Sequence, residues 1–480
     1  MSTENKKIYL IYPPSPLMNR EERCQQPTDD LIVIPPLPPL DLMYLASIAR
    51  QKGFEPTIKD YSLAKASLED FKKDLNEIKP RYLVVNVATP TLESDLETLL
   101  EAKELLGESV VTVAKGAHFS FLPLEVMQTH DFIDIALCGE CELTFGEILE
   151  GKPLREIEGI CYRQDYEIIQ TRRRPFNENL DALPYPARDL IDNSLYIRPD
   201  NNKKQAVIKV SRGCPYHCFF CLATPLNGRI VRYRSAENIL GEIKECVEKY
   251  GINNFIFWSD IFNLDKNKTR ELCQKIIDSG LKITFSTNTR ADSADVQTIK
   301  LMKKAGCRLV SMGIESGSQY MLDKMGKNIT LNQVENTVKA FKKAGIQIYA
   351  YYVIGLPWET KDTINETLRF AKKLNCDYAS FYTAAALVGT TFYEYVENNC
   401  LGVLNYSHPY YYPSVRTHSL TADEVFMYHK KLVREYYLRP RYILKMLLQK
   451  KTARNITKSL ANCFLLRLNF NFSSFYLNSK

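Results

Sequence analysis

No run of about 18 apolar residues occurs in the 480-residue sequence, which removes a transmembrane helix from the expected elements. An export signal is also missing. Met1-Ser2-Thr3-Glu4-Asn5-Lys6-Lys7 leads only into the short apolar stretch Ile8–Tyr12, which reads as a strand, not a secretory core. A cytoplasmic protein is therefore expected. Cysteine, at 13 residues, is too sparse for a disulfide scaffold at this length, and the count is odd. Reduced thiols, or thiols holding a metal or cluster, are expected instead. One-sided charge is absent from most of the chain. The net charge is +7, yet between Lys430 and Lys458 ten Lys and Arg residues face one acid, Glu435. The remainder is close to neutral, which excludes a basic nucleic-acid glove and confines the positive charge to the tail.

What is present is ordinary for a globular protein: 45% hydrophobic and 25% charged residues, in a chain long enough for more than one domain. Over residues 1–150, short apolar runs (Ile8–Tyr12, Tyr82–Val87, Val110–Ala114, Phe132–Leu137) alternate with helical spacing (Leu42–Gln51, Leu92–Leu106). That alternation predicts α/β architecture with a doubly wound parallel sheet, whose ligands bind beyond the carboxyl ends of the strands. Residues 151–203 loosen, with Asp181–Pro186 and Pro199–Lys204 reading as a linker. A second series occupies 204–390. Its strands are Ala206–Val210, Asn254–Trp258, Ile283–Thr287, Arg308–Gly313, Gln347–Ile354 and Tyr378–Thr383. Helical patterns lie between them, and Gly251, Gly280, Gly306 and Gly345 stand just past helix ends. These units predict a partial (β/α)6 TIM-like barrel with its chemistry at the strands' carboxyl ends.

The first barrel strand runs into Ser211-Arg212-Gly213-Cys214-Pro215-Tyr216-His217-Cys218-Phe219-Phe220-Cys221. Three thiolates on one tight loop suit three irons of a 4Fe–4S cube and leave the fourth iron open. Zinc is the competing ligand, but structural zinc prefers a closed tetrahedral site, and His217 does not stand at a paired zinc spacing. C-x3-C-x2-C with an aromatic residue before the third cysteine, at the end of strand one of a βα series, resembles the radical S-adenosylmethionine (SAM) superfamily. The resemblance implies that SAM chelates the open iron and that electron transfer yields a 5′-deoxyadenosyl radical. It also implies SAM contacts from Phe220 in the loop, Asp260 after strand two, and Ser286, Asn288 and Arg290 at the end of strand three. Glu315 after strand four, and Tyr352, Ile354 and Gly355 at the end of strand five, complete that set. Asp260 stands where the family often has a Gly-Gly-Glu motif.

Upstream, Leu37–Ala46, Lys115-Gly116-Ala117-His118-Phe119-Ser120 and Asp134–Glu142 together resemble the cobalamin-binding domain of B12-dependent radical SAM enzymes. The resemblance covers about residues 1–390. It implies cobalamin contacts at Pro13, Pro14, Leu42, Thr89, Thr91, Gly116, His118, Phe119, Ser120, Gly139, Glu140 and Glu142. The Asp-x-His-x-x-Gly motif that ligates cobalt is absent, so cobalamin is expected base-off without a protein His on the metal. Cys138 and Cys141 form a lone CxxC, read as two separate thiols. Beyond residue 390, a mostly helical extension is expected, with a helix over 422–438, a break at Pro440, and a basic amphipathic stretch suited to a membrane surface or a lipid substrate.

The resemblance implies a C-methyltransferase acting on an unactivated carbon of a lipid or natural product, with a flavodoxin or ferredoxin as electron donor and no nucleic-acid partner. The alternative in the same architecture is radical ring formation, as in the anaerobic magnesium-protoporphyrin ester cyclases. An RNA methylthiotransferase would carry a second three-cysteine domain and an RNA-binding barrel, and neither pattern is visible. A non-catalytic cobalamin sensor would not need the intact cluster loop.

Overall fold

The computed structural model describes residues 5–21, 24–27, 36–198, 202–402 and 415–449. The chain forms two compact units, one of residues 1–288, 304–307 and 387–394, the other of 289–303, 308–386 and 395–480.

The first unit opens with β1 (Lys7–Tyr12), α1 (Leu40–Gln51), β2 (Glu55–Asp60), β3 (Tyr82–Asn86), α2 (Leu92–Leu106), β4 (Val111–Lys115), β5 (Ile135–Leu137), α3 (Glu142–Leu149) and the pair β6 (Ile160–Gln164) and β7 (Glu167–Gln170). Their sheet has the order 2-1-3-4-5-6-7. β1 to β5 run parallel, with Leu10 beside Ile58 on one side and Val84 on the other. Successive residues of one strand enter different cores. Ile8, Leu10 and Tyr12 pack with Leu42 and Leu45 of α1 and Phe145 of α3, whereas Tyr9 and Ile11 pack with Leu96 and Leu99 of α2. Both faces are covered, so these strands read as continuous apolar runs.

The antiparallel pair β6–β7 corrects the expected linker. Ile135 stands opposite Tyr162 and Cys161 opposite Gln170, so the first sheet continues well past residue 150. Sequence reading missed these strands because they are short and, in β7, only half-buried.

The same unit continues with β8 (Ala206–Lys209), β9 (Ser211–Arg212), β10 (Arg232–Tyr233), α4 (Ala236–Tyr250), β11 (Asn254–Trp258), α5 (Lys266–Asp278) and β12 (Thr284–Arg290), which it holds to Asn288. β8, β11 and β12 are parallel neighbours. All four predicted cap glycines have positive φ. At Gly306 a Cβ would lie 2.3 Å from the Ile283 carbonyl oxygen, so glycine is required there.

The second unit holds β13 (Cys307–Glu315, from Arg308 on), α6 (Leu331–Lys343), β14 (Gln347–Ile354), α7 (Lys361–Leu374), β15 (Tyr378–Thr383), α8 (Ala422–Tyr437) and α9 (Pro440–Gln449). β13, β14 and β15 are parallel. Burial alternates along β15, with Ala379, Phe381 and Thr383 inside and Tyr378, Ser380 and Tyr382 half-exposed. Capping boxes start α6 (Thr330, Gln333), α7 (Thr360, Thr363) and α8 (Thr421, Glu424). Pro440 ends the α8 helix as expected, but it also begins α9, where a proline at the first position loses no helical hydrogen bond. Tyr442 of α9 is buried and donates to the Asp377 carbonyl at 2.7 Å. Tyr410–Pro413 and the basic residues Lys450 to Lys458 lie outside the described residues. Among the described residues no helix is long and apolar enough to cross a membrane.

Candidate active site

The cysteine loop leaves β9 and returns at β10, where Arg212 pairs with Arg232 and Ser211 with Tyr233. Its entry needs Gly213, which has φ +105° and a virtual Cβ 2.3 Å from the Ile230 carbonyl oxygen. The Gly213 N–H donates to Asp260 Oδ2 at 3.0 Å, and Asn227 Nδ2 donates to the same oxygen at 3.3 Å. The Thr224 hydroxyl donates to the carbonyls of Cys214 and Tyr216 at 3.1 and 2.6 Å. The loop is thus held through its backbone. Cys214, Cys218 and Cys221 are half-buried, whereas Cys138, Cys141, Cys161, Cys246, Cys273, Cys307 and Cys376 are buried. The Ala223 N–H donates to Cys221 Sγ at 3.4 Å. Among the described residues no three His, Cys, Asp or Glu side chains converge to hold one metal ion. Three cysteines on one loop suit a cube, which takes each cysteine at a different corner and leaves the fourth open, better than a closed zinc site.

Around the strand ends of the first unit, Ser211 and Ser259 share a hydroxyl hydrogen bond at 2.6 Å. Asn288 Nδ2 donates to the Ser259 carbonyl at 3.1 Å, and Ser286 is buried. Asp260 is engaged with the cysteine loop itself. Phe220 is half-buried beside Cys221.

In the second unit, Arg290 grips Asp292 through Nε and Nη2 at 3.0 and 3.1 Å and donates to the Lys327 carbonyl at 2.7 Å. Glu315 has φ +69° at an irregular register after Gly313, and it pairs with buried Lys327 at 2.6 Å. A non-glycine residue in this region stores strain, which marks functional positions. A Cβ on Gly313 would lie 2.3 Å from Glu315 Oε1, so that glycine makes room for the pair. Tyr352 and Ile354 are fully buried, with Tyr352 stacked on Phe381 at 5.0 Å; only backbone there is available to a ligand. Gly355 has φ +86° and packs under Val425.

Glu359, just beyond this turn, is buried, and its Oε2 has no hydrogen-bond partner. Burial raises its carboxyl from 4.5 to about 7, against the Thr363 hydroxyl and the Gly355 N–H and with help from the charge of Glu366. A raised carboxyl stabilises the fold below its unfolded value and loses that contribution as pH rises towards about 7. Unfolding free energy should therefore fall by about 3 kcal/mol between pH 4.5 and 7.5 from this group. Glu359→Gln should flatten that part of the profile in chemical denaturation of the cluster-free protein.

At the carboxyl ends of β1, β4 and β5 the first unit has an open cleft. Asp41 at the start of α1 accepts from Lys115 Nζ, from Asn86 Nδ2 at 2.5 Å and from the Tyr12 hydroxyl at 3.1 Å. Burial opposes its charge, but the Lys115 ammonium holds the carboxyl below its ordinary value. Arg20, also on the cleft wall, is buried and paired with Asp95 at 2.6 Å, yet its Nε has no partner. Gly139, Glu140 and Glu142 line the cleft as well.

The other expected cobalamin residues sit differently. Leu42 and Phe119 are core residues on opposite faces of the sheet. Pro13 offers its carbonyl to the Ser62 hydroxyl, and Pro14 is half-buried. The Thr91 hydroxyl donates to Asp95 of α2 at 2.7 Å, and the Thr89 N–H donates to the Gln25 side chain at 2.6 Å. Gly116 abuts the Val87 carbonyl, and Ser120 accepts from the Gly139 N–H at 3.0 Å. His118 is buried; desolvation keeps its ring neutral, and Nδ1 has no partner. The orphan Nε of Arg20, on the cleft wall, is the kind of buried polar atom that a large amide-bearing cofactor satisfies. Cys138 and Cys141 donate to the Ala136 and Gly139 carbonyls, and burial pushes the Cys138 thiol up to about 12.

Sequence reading missed Asp41, Lys115, Arg20, Arg212, Arg232 and Lys327. Each is a charged side chain held by a partner, all but half-buried Asp41 buried, and hydropathy marks such a residue as exposed. Lys115 and Arg212 did stand beside the glycines of motifs already identified.

Residues 208–371 match the Radical SAM superfamily. A protein of Pyrococcus horikoshii called an uncharacterized methyltransferase is 31% identical over 414 residues, 85% of this chain and 89% of that protein. The anaerobic magnesium-protoporphyrin IX monomethyl ester cyclase of Rubrivivax gelatinosus is 28% identical over 355 residues, 72% of this chain and 63% of that protein. Among solved structures, the cobalamin-dependent SAM radical enzyme OxsB, bound to aqua-cobalamin and SAM, superposes with a TM-score of 0.73 at 17% identity, over 98% of this chain and 73% of that one. With its three half-buried thiols at the first strand end of a parallel α/β series, the chain belongs to the radical SAM superfamily and has the fold of a cobalamin-dependent member.

Proposed function

We propose that this radical SAM enzyme is a cobalamin-dependent C-methyltransferase acting on a small molecule or lipid. The observation that carries the reading is a shared cleft. Arg212 and Asn227 flank the cysteine loop, and they line the same cavity as Asp41, Lys115 and Gly139 at the carboxyl ends of β1, β4 and β5. Cys214, Cys218 and Cys221 would hold the 4Fe–4S cluster, and the cleft would take cobalamin, base-off and without a histidine on cobalt. In support, His118 stands in the turn after β4 and does not line the cleft. When bound, the cluster supplies an electron to the SAM sulfonium and cobalamin supplies the methyl group.

The chain's own part is positional. Thr224, Gly213 and Asp260 fix the cysteine loop; within the second unit, Gly313 makes room for the Glu315–Lys327 pair. Residues 204–390 are read as the partial barrel, and residues 1–150 with β6 and β7 as the cobalamin domain. A flavodoxin or ferredoxin would deliver the electron. The test is anaerobic reconstitution with iron, sulfide and hydroxocobalamin, then SAM, reductant and cell extract. A product heavier by one CH2 supports the reading; 5′-deoxyadenosine with a product lighter by hydrogens supports ring formation, the activity named for the Rubrivivax relative.

A further inference from the structure

Beside the cysteine loop lies a closed set of four charges. Arg212 Nη1 donates to Glu142 Oε2 at 3.2 Å, and Arg212 Nη2 bonds Glu142 Oε1. Arg232 donates to both oxygens of Glu140 at 2.8 Å through Nη1 and Nη2. Glu140 Oε1 also lies 3.4 Å from Arg212 Nη1, so the two pairs join into one network. The Asn177 N–H donates to Glu140 Oε2 at 2.9 Å. All four side chains are about nine-tenths buried, at 7, 9, 11 and 7% exposure for Arg212, Glu140, Glu142 and Arg232. The arginines are cross-strand partners at the root of the loop, with Arg212 two residues before Cys214. The glutamates belong to the turn after β5 and to the first residue of α3.

We propose that Glu140 and Glu142 are positioning residues for the cysteine loop, neutralising and orienting Arg212 and Arg232 so that the loop's root and its electrostatic environment are set from the neighbouring sheet. The inference rests on the proposed function in one respect, that the loop holds a cluster. Two bidentate guanidinium–carboxylate pairs fix direction as well as distance, which one lysine pair cannot do. A buried pair that loses one partner leaves an uncompensated charge. Here the survivor would stand next to the cluster, where screening by water is weak. Cluster reduction adds one negative charge. Guanidinium charge freed by Glu140→Gln and Glu142→Gln therefore favours the reduced form and raises the potential. Carboxylate charge freed by Arg212→Gln and Arg232→Gln lowers it.

The test compares the two double variants with wild type, first without and then with the cluster. In the cluster-free protein, amide hydrogen exchange across residues 211–228 should quicken at least tenfold in both variants, while β14 and β15 keep wild-type protection. After anaerobic reconstitution, midpoint potentials read by electron paramagnetic resonance should move up in the glutamate variant and down in the arginine variant. Arg212→Lys should keep the wild-type potential and still loosen the loop. Shifts of the same sign, no shift, or unchanged exchange would overturn the inference. If a double variant precipitates, Glu140→Gln and Arg232→Gln alone carry the same opposite signs. Wild-type protein that takes up no iron would instead defeat the proposed function, while the cluster-free exchange still decides whether the four charges hold the loop.

Discussion

Protein with Cys214, Cys218 and Cys221 all changed to alanine should purify without iron or acid-labile sulfide, and with turnover lowered by at least about 10⁶-fold, the low end of enzymatic acceleration. Backbone anchors carry most of the loop's shape. Its root is a two-residue antiparallel pairing, Gly213 is anchored by Asp260, and Thr224 spans the carbonyls of Cys214 and Tyr216. The three thiols are half-buried, so their removal opens no core cavity. Denaturation of the cluster-free triple variant should accordingly stay within about 0.5 kcal/mol of cluster-free wild type. Iron and sulfide analysis with urea titration checks both halves. A variant that retains activity, or one that fails to fold, would contradict this account of the loop.

A stability loss of about 3–5 kcal/mol should follow Asp95→Ala. Asp95 and Arg20 are both fully buried and paired through both oxygens, at 2.6 and 2.9 Å. Asp95 also accepts from the Ala88 N–H at 2.9 Å and the Thr91 hydroxyl at 2.7 Å, and Arg20 donates to the Asn86 carbonyl at 3.1 Å. The pair pins the segment after β1 to the end of β3, beside the cleft. Removing the carboxylate strands a guanidinium in the interior and frees one backbone N–H. Arg20→Leu with Asp95→Leu should cost less than Asp95→Ala alone, because it leaves no lone charge. Urea denaturation of the three proteins decides the order. Equal costs that simply add would show that the pair does not act as a unit.

The reading from sequence went furthest where chemistry and local pattern coincide. The parallel strands of the first unit, up to β5, were visible as apolar runs because both of their faces are buried. The cysteine loop was visible because its spacing and its glycine are local properties. The reading fell short at β6 and β7, whose apolar signal is weak, and at Leu42 and Phe119, which belong to motifs but turn their side chains into the cores.

Sequence by itself therefore determined the parallel α/β architecture of the first unit, the C-x3-C-x2-C loop and its superfamily, since continuous apolar runs and ligand spacing are written within a few residues. Only the tertiary structure decided which charged residues meet: Asp41 with Lys115, Arg20 with Asp95, and Glu140 and Glu142 with the arginines at the loop's root. Those partners lie between 70 and 92 residues apart in the chain. A buried charge is tolerated only because of a partner that folding brings to it, and nothing in its own neighbourhood announces which one.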